Sequence, residues 1–155
     1  MLIDFDILTD KSRIWIYASE SKLTEEQQCY ILNNMYNYLR EWNSHRLPLE
    51  AGVKIIDNHF IIVALDETKK EASGCSIDTL QHQIQKIENN LSISLLNRLN
   101  IFCILNDEIV CIPSIDLKNH VDRNTLFYDL TIQRKSQISS FIKPISEGWC
   151  ARLIY

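Results

Sequence analysis

Glycine and proline are scarce, three of each in 155 residues. A chain so poor in both leaves little room for low-complexity or linker segments. Three glycines also cannot supply the G-x-G-x-x-G of a dinucleotide site alongside their other uses. There is no G-x-x-x-x-G-K-[ST] to hold nucleotide phosphates, no H-E-x-x-H to bind zinc and no G-x-S-x-G to present a serine nucleophile. The four histidines are scattered at 45, 59, 82 and 120. The five cysteines are Cys29, Cys75, Cys103, Cys111 and Cys150. Their odd number and the lack of any Cys-x-x-Cys argue against a disulfide framework or a thiolate zinc site. No metal and no cofactor is expected. No apolar run reaches bilayer-spanning length. The stretch MLIDFDILTDKSR carries acids where a signal segment would be apolar, so the reducing cytoplasm is the expected compartment. Positive charge is also short: 16 Lys and Arg against 20 Asp and Glu give a net charge of -4. Neither nucleic acid nor an anionic membrane is therefore an expected partner.

What is present is ordinary globular composition, 46% hydrophobic and 23% charged, in a chain long enough to bury a core without staples. RIWIYA (13–18) is aromatic and β-branched and predicts a strand. Thr24 followed by Gln27 fits a capping box, and the helix it opens is expected to run to about residue 44 with Ile31, Leu32, Met35, Tyr38, Leu39 and Trp42 on its buried face. Pro48 and Gly52 break that pattern. VKII and HFIIVALDE then predict a hairpin turning at Asp57 and Asn58, its second strand apolar enough to be covered on both faces. A second helix is expected from about residue 77, with Ile77, Leu80, Ile84, Ile87 and Leu91 as its stripe. A second hairpin turns at Asn106 and Asp107. A short helix capped by Ser114, a strand over TLFYDLTI, a short helix over KSQISSFI and a docked aromatic tail complete the chain.

The order β-α-β-β-α-β predicts an α+β fold, the ferredoxin-like split βαβ with an antiparallel sheet and both helices on one face, plus a C-terminal strand and helix extension. With no repeat and no linker, residues 1–155 read as one domain, with room for a small C-terminal subdomain over 113–155.

SGCSIDT (73–79) gathers a glycine, a thiol, hydroxyls and a carboxylate just before the second helix. Gly74 permits a sharp turn or close approach of a ligand. Ser76 suits an N-cap, and Asp78 falls in the first turn. Free amides at such an end favour anions and thiolates, so Ser73, Gly74, Cys75, Ser76 and Asp78 are candidates for holding a small anion, and Cys75 is a candidate nucleophile. The same letters also make an ordinary helix start. His45, three residues after Trp42 in LREWNSHR, suits a helix C-terminus as a cation and is the candidate base for Cys75. Asp66, at the end of the apolar strand, is the candidate orienter, with Asp78 as its substitute. Trp149 and Arg152 in GWCARLIY could line a pocket or hold a carboxylate. Cys103 and Cys111 read as inert core thiols.

At SGCSIDT, WNSH, LLNRLN and GWCARLI the chain resembles a family of small bacterial proteins often labelled "ABC transporter ATPase", over nearly its whole length. The resemblance implies a stand-alone cytoplasmic protein. It implies no ATPase site here, because no Walker motif is present. The family's tail motif reads Trp-His-x-Arg, and here Cys150 follows Trp149. CIPSIDLKNHVDRNTLFYDL is also similar, over a short stretch, to GYF-type peptide-binding modules. Two functions follow as expectations. One is a non-catalytic binding protein for a protein partner or a small anionic ligand, with a homodimer possible. The other is a small thiol enzyme using Cys75, His45 and Asp66.

Overall fold

The computed structural model describes residues 1–155. The chain is α+β with antiparallel sheets and divides into two compact units: residues 1–96 with 133–136, and residues 97–132 with 137–155. The second unit begins with the hairpin after the second helix, ahead of residue 113.

In the first unit, β1 (Arg13–Ala18) leads to α1 (Glu25–Glu41), a two-residue pair β2 (Asn43–Ser44) and β3 (Leu47–Pro48), then β4 (Glu50–Ile56), β5 (Phe60–Asp66) and α2 (Gly74–Leu91). The main sheet has the order β1-β5-β4, all antiparallel, with Trp15 opposite Val63 and Val53 opposite Val63 on the other side. The central strand is buried from Phe60 to Leu65. Its Ile61, Val63 and Leu65 share one core with Ile31, Met35 and Leu39 of α1 and Leu80, Ile84 and Ile87 of α2. Each such side chain contributes roughly 1.5–3 kcal/mol on burial, so the predicted stripes fix both helices to one face. Leu32, Tyr38, Ile77 and Leu91 from those stripes are only half-buried.

The capping box is present as read: Thr24 Oγ1 accepts from the Gln27 amide, and the Gln27 side chain accepts from the Thr24 amide. The turn Asp57–Asn58 has φ of 51° and 59°, a left-handed pair that Asp and Asn tolerate without glycine. α1 ends at Glu41, short of 44, because Trp42 turns to extended backbone and the chain doubles back through a tight hairpin. Its turn residues, His45 and Arg46, have φ of 51° and 69°. His is, with Asn and Asp, among the side chains enriched in the left-handed region, whereas Arg46 is not and costs roughly 1–2 kcal/mol there.

A ferredoxin-like sheet would place the strand after the second helix beside β1. Here residues 133–136 take that edge: the Ile14 amide donates to the Gln133 carbonyl (3.0 Å), and the Lys135 and Ser136 amides donate to Ser12 and Asp10 (2.9 Å each). Lys135 Nζ anchors the segment by donating to the carbonyls of Phe5 (2.8 Å) and Leu8 (2.7 Å), with the Phe5 ring beneath it.

In the second unit, β6 (Asn100–Leu105), β7 (Glu108–Pro113), β8 (Leu126–Tyr128) and β9 (Ile142–Pro144) form a sheet of order β7-β6-β8-β9. Asn106 and Asp107 make its left-handed turn, with φ of 52° and 63°. Ser114 does not cap the 3-10 segment Ser114–Asn119; Pro113 stands at the cap and makes no side-chain bond. The strand expected over 125–132 is only three residues long. β9 was not foreseen, since Pro144 reads as a stop, yet it sits where only an edge strand tolerates it. Cys103 and Cys150 are fully buried in one core with Phe127 and Ile145, and burial pushes the Cys103 thiol up to about 12. Cys111 is half-buried, so only the first of the two strand thiols sits in the core as expected. No helix is long and apolar enough to cross a membrane.

Candidate functional site

Ser73, not Ser76, is the N-cap of α2, so the helix begins at Gly74 rather than near 77. The two serines cap reciprocally: Ser73 Oγ accepts from the Ser76 amide (3.1 Å), and Ser76 Oγ accepts from the Ser73 amide (2.7 Å). Glu67 sets the approach, its carboxylate accepting from the Ala72 amide (3.0 Å). This places Cys75 in the first turn, exposed. The amides of Gly74 and Cys75 are the first-turn donors that the capping box does not use. Gly74 is not needed for a left-handed turn or a tight approach: its φ is not positive, and a Cβ there would meet nothing within 4 Å.

The end of α1 meets this turn through two bonds. Trp42 is buried, and its indole Nε1 donates to the Ser76 carbonyl (2.9 Å). The same carbonyl accepts from Thr79 Oγ1 (2.9 Å), and the Tyr38 hydroxyl is 2.7 Å from Thr79 Oγ1. Burial raises the Tyr38 phenol above its usual value despite the opposing hydrogen bonds from Thr79 and Trp42, so the phenol stays neutral. The rings are continuous: Trp15 stands edge-on to Trp42 at 5.9 Å, and Tyr38 lies 6.1 Å from Trp42. Arg13 covers the outer ring, Trp15, at 4.7 Å.

Between the two elements opens a cleft of about 400 Å³, within the range of roughly 300–1,000 Å³ typical of small-molecule sites. One wall is Tyr38, Glu41, Trp42, Asn43 and His45; the other is Ser73, Cys75, Ser76 and Thr79. His45 and Cys75, far apart in sequence, thus line one cleft. The strained hairpin is what sets His45 there. The Glu41 carboxylate and the His45 imidazole make no hydrogen bond or ion pair, whereas the Asn43 side chain donates to the Glu41 carbonyl (3.0 Å).

The other candidates lie elsewhere. Asp66 Oδ1 accepts from the amide (2.9 Å) and hydroxyl (2.6 Å) of Thr68, which hold its carboxyl below the usual range; it closes its own turn and does not line the cleft. Asp78 is exposed on α2 and is also outside the lining. A His45-orienting carboxylate is therefore not supplied by either. Trp149 and Arg152 belong to the second unit, on the 3-10 segment Trp149–Leu153. There Cys150, not the indole, fills the core, and Trp149 is 41% exposed. Tyr30 and Tyr36 are half-buried on α1 and lie outside the cleft lining. No three of the His, Cys, Asp and Glu side chains gather into a metal-binding group.

Sequence reasoning missed Tyr38, Glu41, Asn43 and Thr79 as site residues. Tyr38 lies one helical turn before Trp42 and shares its face, a signal that would have extended the Trp42–His45 cluster backwards. Thr79 has no such local signal. In comparisons with known proteins, no family model, no curated protein and no solved structure matches this chain.

Proposed function

We propose that the protein binds a small anionic ligand in the cleft between the end of α1 and the start of α2, and that it does so without catalysis. The observation that carries this is the meeting of an aromatic wall, Tyr38 and Trp42, with a first helical turn whose Gly74 and Cys75 amides have no partner. Apart from the short β2–β3 pair, the first unit runs β1-α1-β4-β5-α2, which supports reading it as a ferredoxin-like half whose last strand went to the second sheet. A cytoplasmic, stand-alone role accords with the resemblance to small bacterial proteins.

The test is an amide-resolved NMR titration with phosphate and with acetate. Saturable shifts centred on Gly74, Cys75 and Ser76 are expected, and they should weaken in Gly74→Pro, which suits the first helical position but removes one of the two free amides. Shifts spread evenly over the lysines, or none at millimolar anion, would overturn the proposal.

A second reading is favoured by His45 and Cys75 sharing the cleft. In it, His45 takes the Cys75 proton, the thiolate attacks an ester's acyl carbon while the Gly74 and Cys75 amides hold the oxyanion, and collapse breaks the acyl–oxygen bond, with His45 returning its proton to the departing alcohol to leave a thioester on Cys75. It predicts a burst with an activated ester that vanishes in Cys75→Ser and in His45→Ala. An unchanged rate in Cys75→Ser would refute it.

A further inference from the structure

The segment 133–136 departs from what a permanent edge strand needs. It contains no apolar residue, so it gains no hydrophobic burial by lying on β1. Its one β-bridge sets Arg134 directly opposite Arg13, and like charges so placed are destabilising. Ser12, whose carbonyl accepts from the Lys135 amide, has its own hydroxyl buried without a hydrogen-bond partner, which costs the desolvation of that group. The segment is also shorter than the edge. Ile14 turns its amide outward to Gln133, so by strand alternation Ile16 and Ala18 present theirs on the same side. Their outward groups have no hydrogen bond. What the edge does select is positive charge. Lys135 Nζ sits on the carbonyls of Phe5 (2.8 Å) and Leu8 (2.7 Å) over the Phe5 ring, and the Arg134 guanidinium is 3.9 Å from the Glu67 carboxylate.

We propose that residues 133–136 are a releasable strap, and that the β1 edge they leave takes up an extended basic peptide in the same antiparallel register. Such a peptide keeps the two cationic contacts through an adjacent Arg-Lys pair. It also continues along the edge to pair with Ile16 and Ala18. The strap cannot do so, because residues 130–131 form a turn that leads the chain away. The added main-chain bonds supply affinity and the cation contacts supply sequence preference, as in other strand additions. The strap is thus a short internal version of the ligand. It also guards the edge while no peptide is bound, since a bare edge invites indiscriminate pairing. None of these residues lines the cleft between α1 and α2, so this surface stands or falls independently of the anion site.

Native-state hydrogen exchange and amide NMR test both parts. The amides of Ile14, Lys135 and Ser136 are expected to exchange together, at least about tenfold faster than those of Trp15 and Tyr17, which face β5. Equal rates would mean that the strap opens only with the whole unit, and would overturn the proposal. Arg134→Thr removes the like-charge pair and should slow the strap amides, whereas Lys135→Met removes the anchor and should speed them. The synthetic peptide TVTVQRKS keeps the strap's own residues behind a β-branched lead. It should give saturable shifts at the Ile16 and Ala18 amides, and should bind Lys135→Met at least about tenfold more tightly than the parent, because the competing strap is weakened. The acidic peptide TVTVQEES should give no such shifts. If TVTVQRKS leaves Ile16 and Ala18 unmoved in the parent and in both variants, or if the acidic peptide binds equally, the edge is not a basic-peptide site and the proposal is overturned.

Discussion

Two glycines predict opposite outcomes for the same substitution. At Gly148 an added Cβ would lie 2.1 Å from Cζ and 2.4 Å from Cε1 of Phe127, whose side chain is fully buried. Ordinary carbon contacts need about 3.5–4.0 Å, so the ring must move by more than an ångström within a packed core. Overpacking of this kind costs about 1–3 kcal/mol. The backbone at Gly148, φ −107° and ψ 173°, is open to alanine, so alanine's smaller unfolded-state entropy returns about 0.4–1 kcal/mol. Gly148→Ala should therefore destabilise by about 1–2 kcal/mol net. At Gly74 the Cβ meets nothing within 4 Å, and only the entropic gain applies, so Gly74→Ala should stabilise by up to about 1 kcal/mol. Urea unfolding checks both. With a slope of about 1–3 kcal/mol/M, the midpoint should fall by about 1 M for Gly148→Ala and rise slightly for Gly74→Ala. Adding Phe127→Leu to Gly148→Ala should recover part of the loss, because the clash is with the ring's far end. A neutral Gly148→Ala, or a double variant worse than the sum of the singles, would refute the steric reasoning.

Further perturbations follow from named contacts. Burial of Asp129 acts to raise its pKa, but the bonds from Lys143 (2.7 Å) and Thr131 outweigh burial and hold the carboxyl below the usual range. Its stabilising effect is therefore complete above an unfolded value of about 3.9 and is lost as pH falls through the lower folded value. Asp129→Asn should cost about 1.5–3 kcal/mol near neutrality, the range for hydrogen bonds to a charged group in this part-buried pair, and the gap to the parent in urea midpoints should close as pH drops below about 4. In the native protein, iodoacetamide should label exposed Cys29 and Cys75 and spare buried Cys103 and Cys150 by peptide mapping; fast labelling of Cys150 would contradict the packed core. Ser73→Ala should cost about 1 kcal/mol by loss of the α2 cap, seen as faster hydrogen exchange confined to the first turn of α2. Arg46→Gly should stabilise by about 1 kcal/mol, since glycine relieves a left-handed residue; a destabilised variant would mean that the turn is not under strain.

Legibility followed locality. β1, the Thr24 capping box and the turns at Asp57–Asn58 and Asn106–Asp107 were readable because each is decided within a few residues: β-branched runs, a Thr-x-x-Gln spacing, and side chains that tolerate positive φ. The end of α1 was not, because Arg46 carries no sign of left-handed backbone, and the turn is imposed by pairing Asn43 with Pro48. The α2 cap was misplaced by three residues for a different reason. Ser-x-x-Ser is symmetrical: each hydroxyl bonds the other's amide, and only the backbone shows which serine precedes the helix. The β-α-β-β-α-β string omitted the short β2–β3 pair between α1 and β4 and was silent on pairing, because nothing in residues 100–105 says whether they join β1 or β7, and the competing edge partner lies at 133–136.

The cleft belongs to that nonlocal class. α1 stops at Glu41 and not three residues later, so the Trp42 ring can drop into the core and reach the Ser76 carbonyl, while Glu41 and His45 are left at the rim. Had the helix continued to residue 44, the amides now spent on the β2–β3 hairpin would have stayed helical, and His45 would have followed the helix axis instead of turning back toward Cys75. The strain at Arg46 is thus the structural counterpart of the site. It holds an unpaired imidazole and an unpaired carboxylate on one wall, opposite a helix start whose own donors are free. A sequence selected for stability alone would place Asn-Gly in that turn and a cation at position 41. Both positions depart from that choice, and Glu41 and His45 both line the same 400 Å³ cleft, which accords with the ligand site proposed for it.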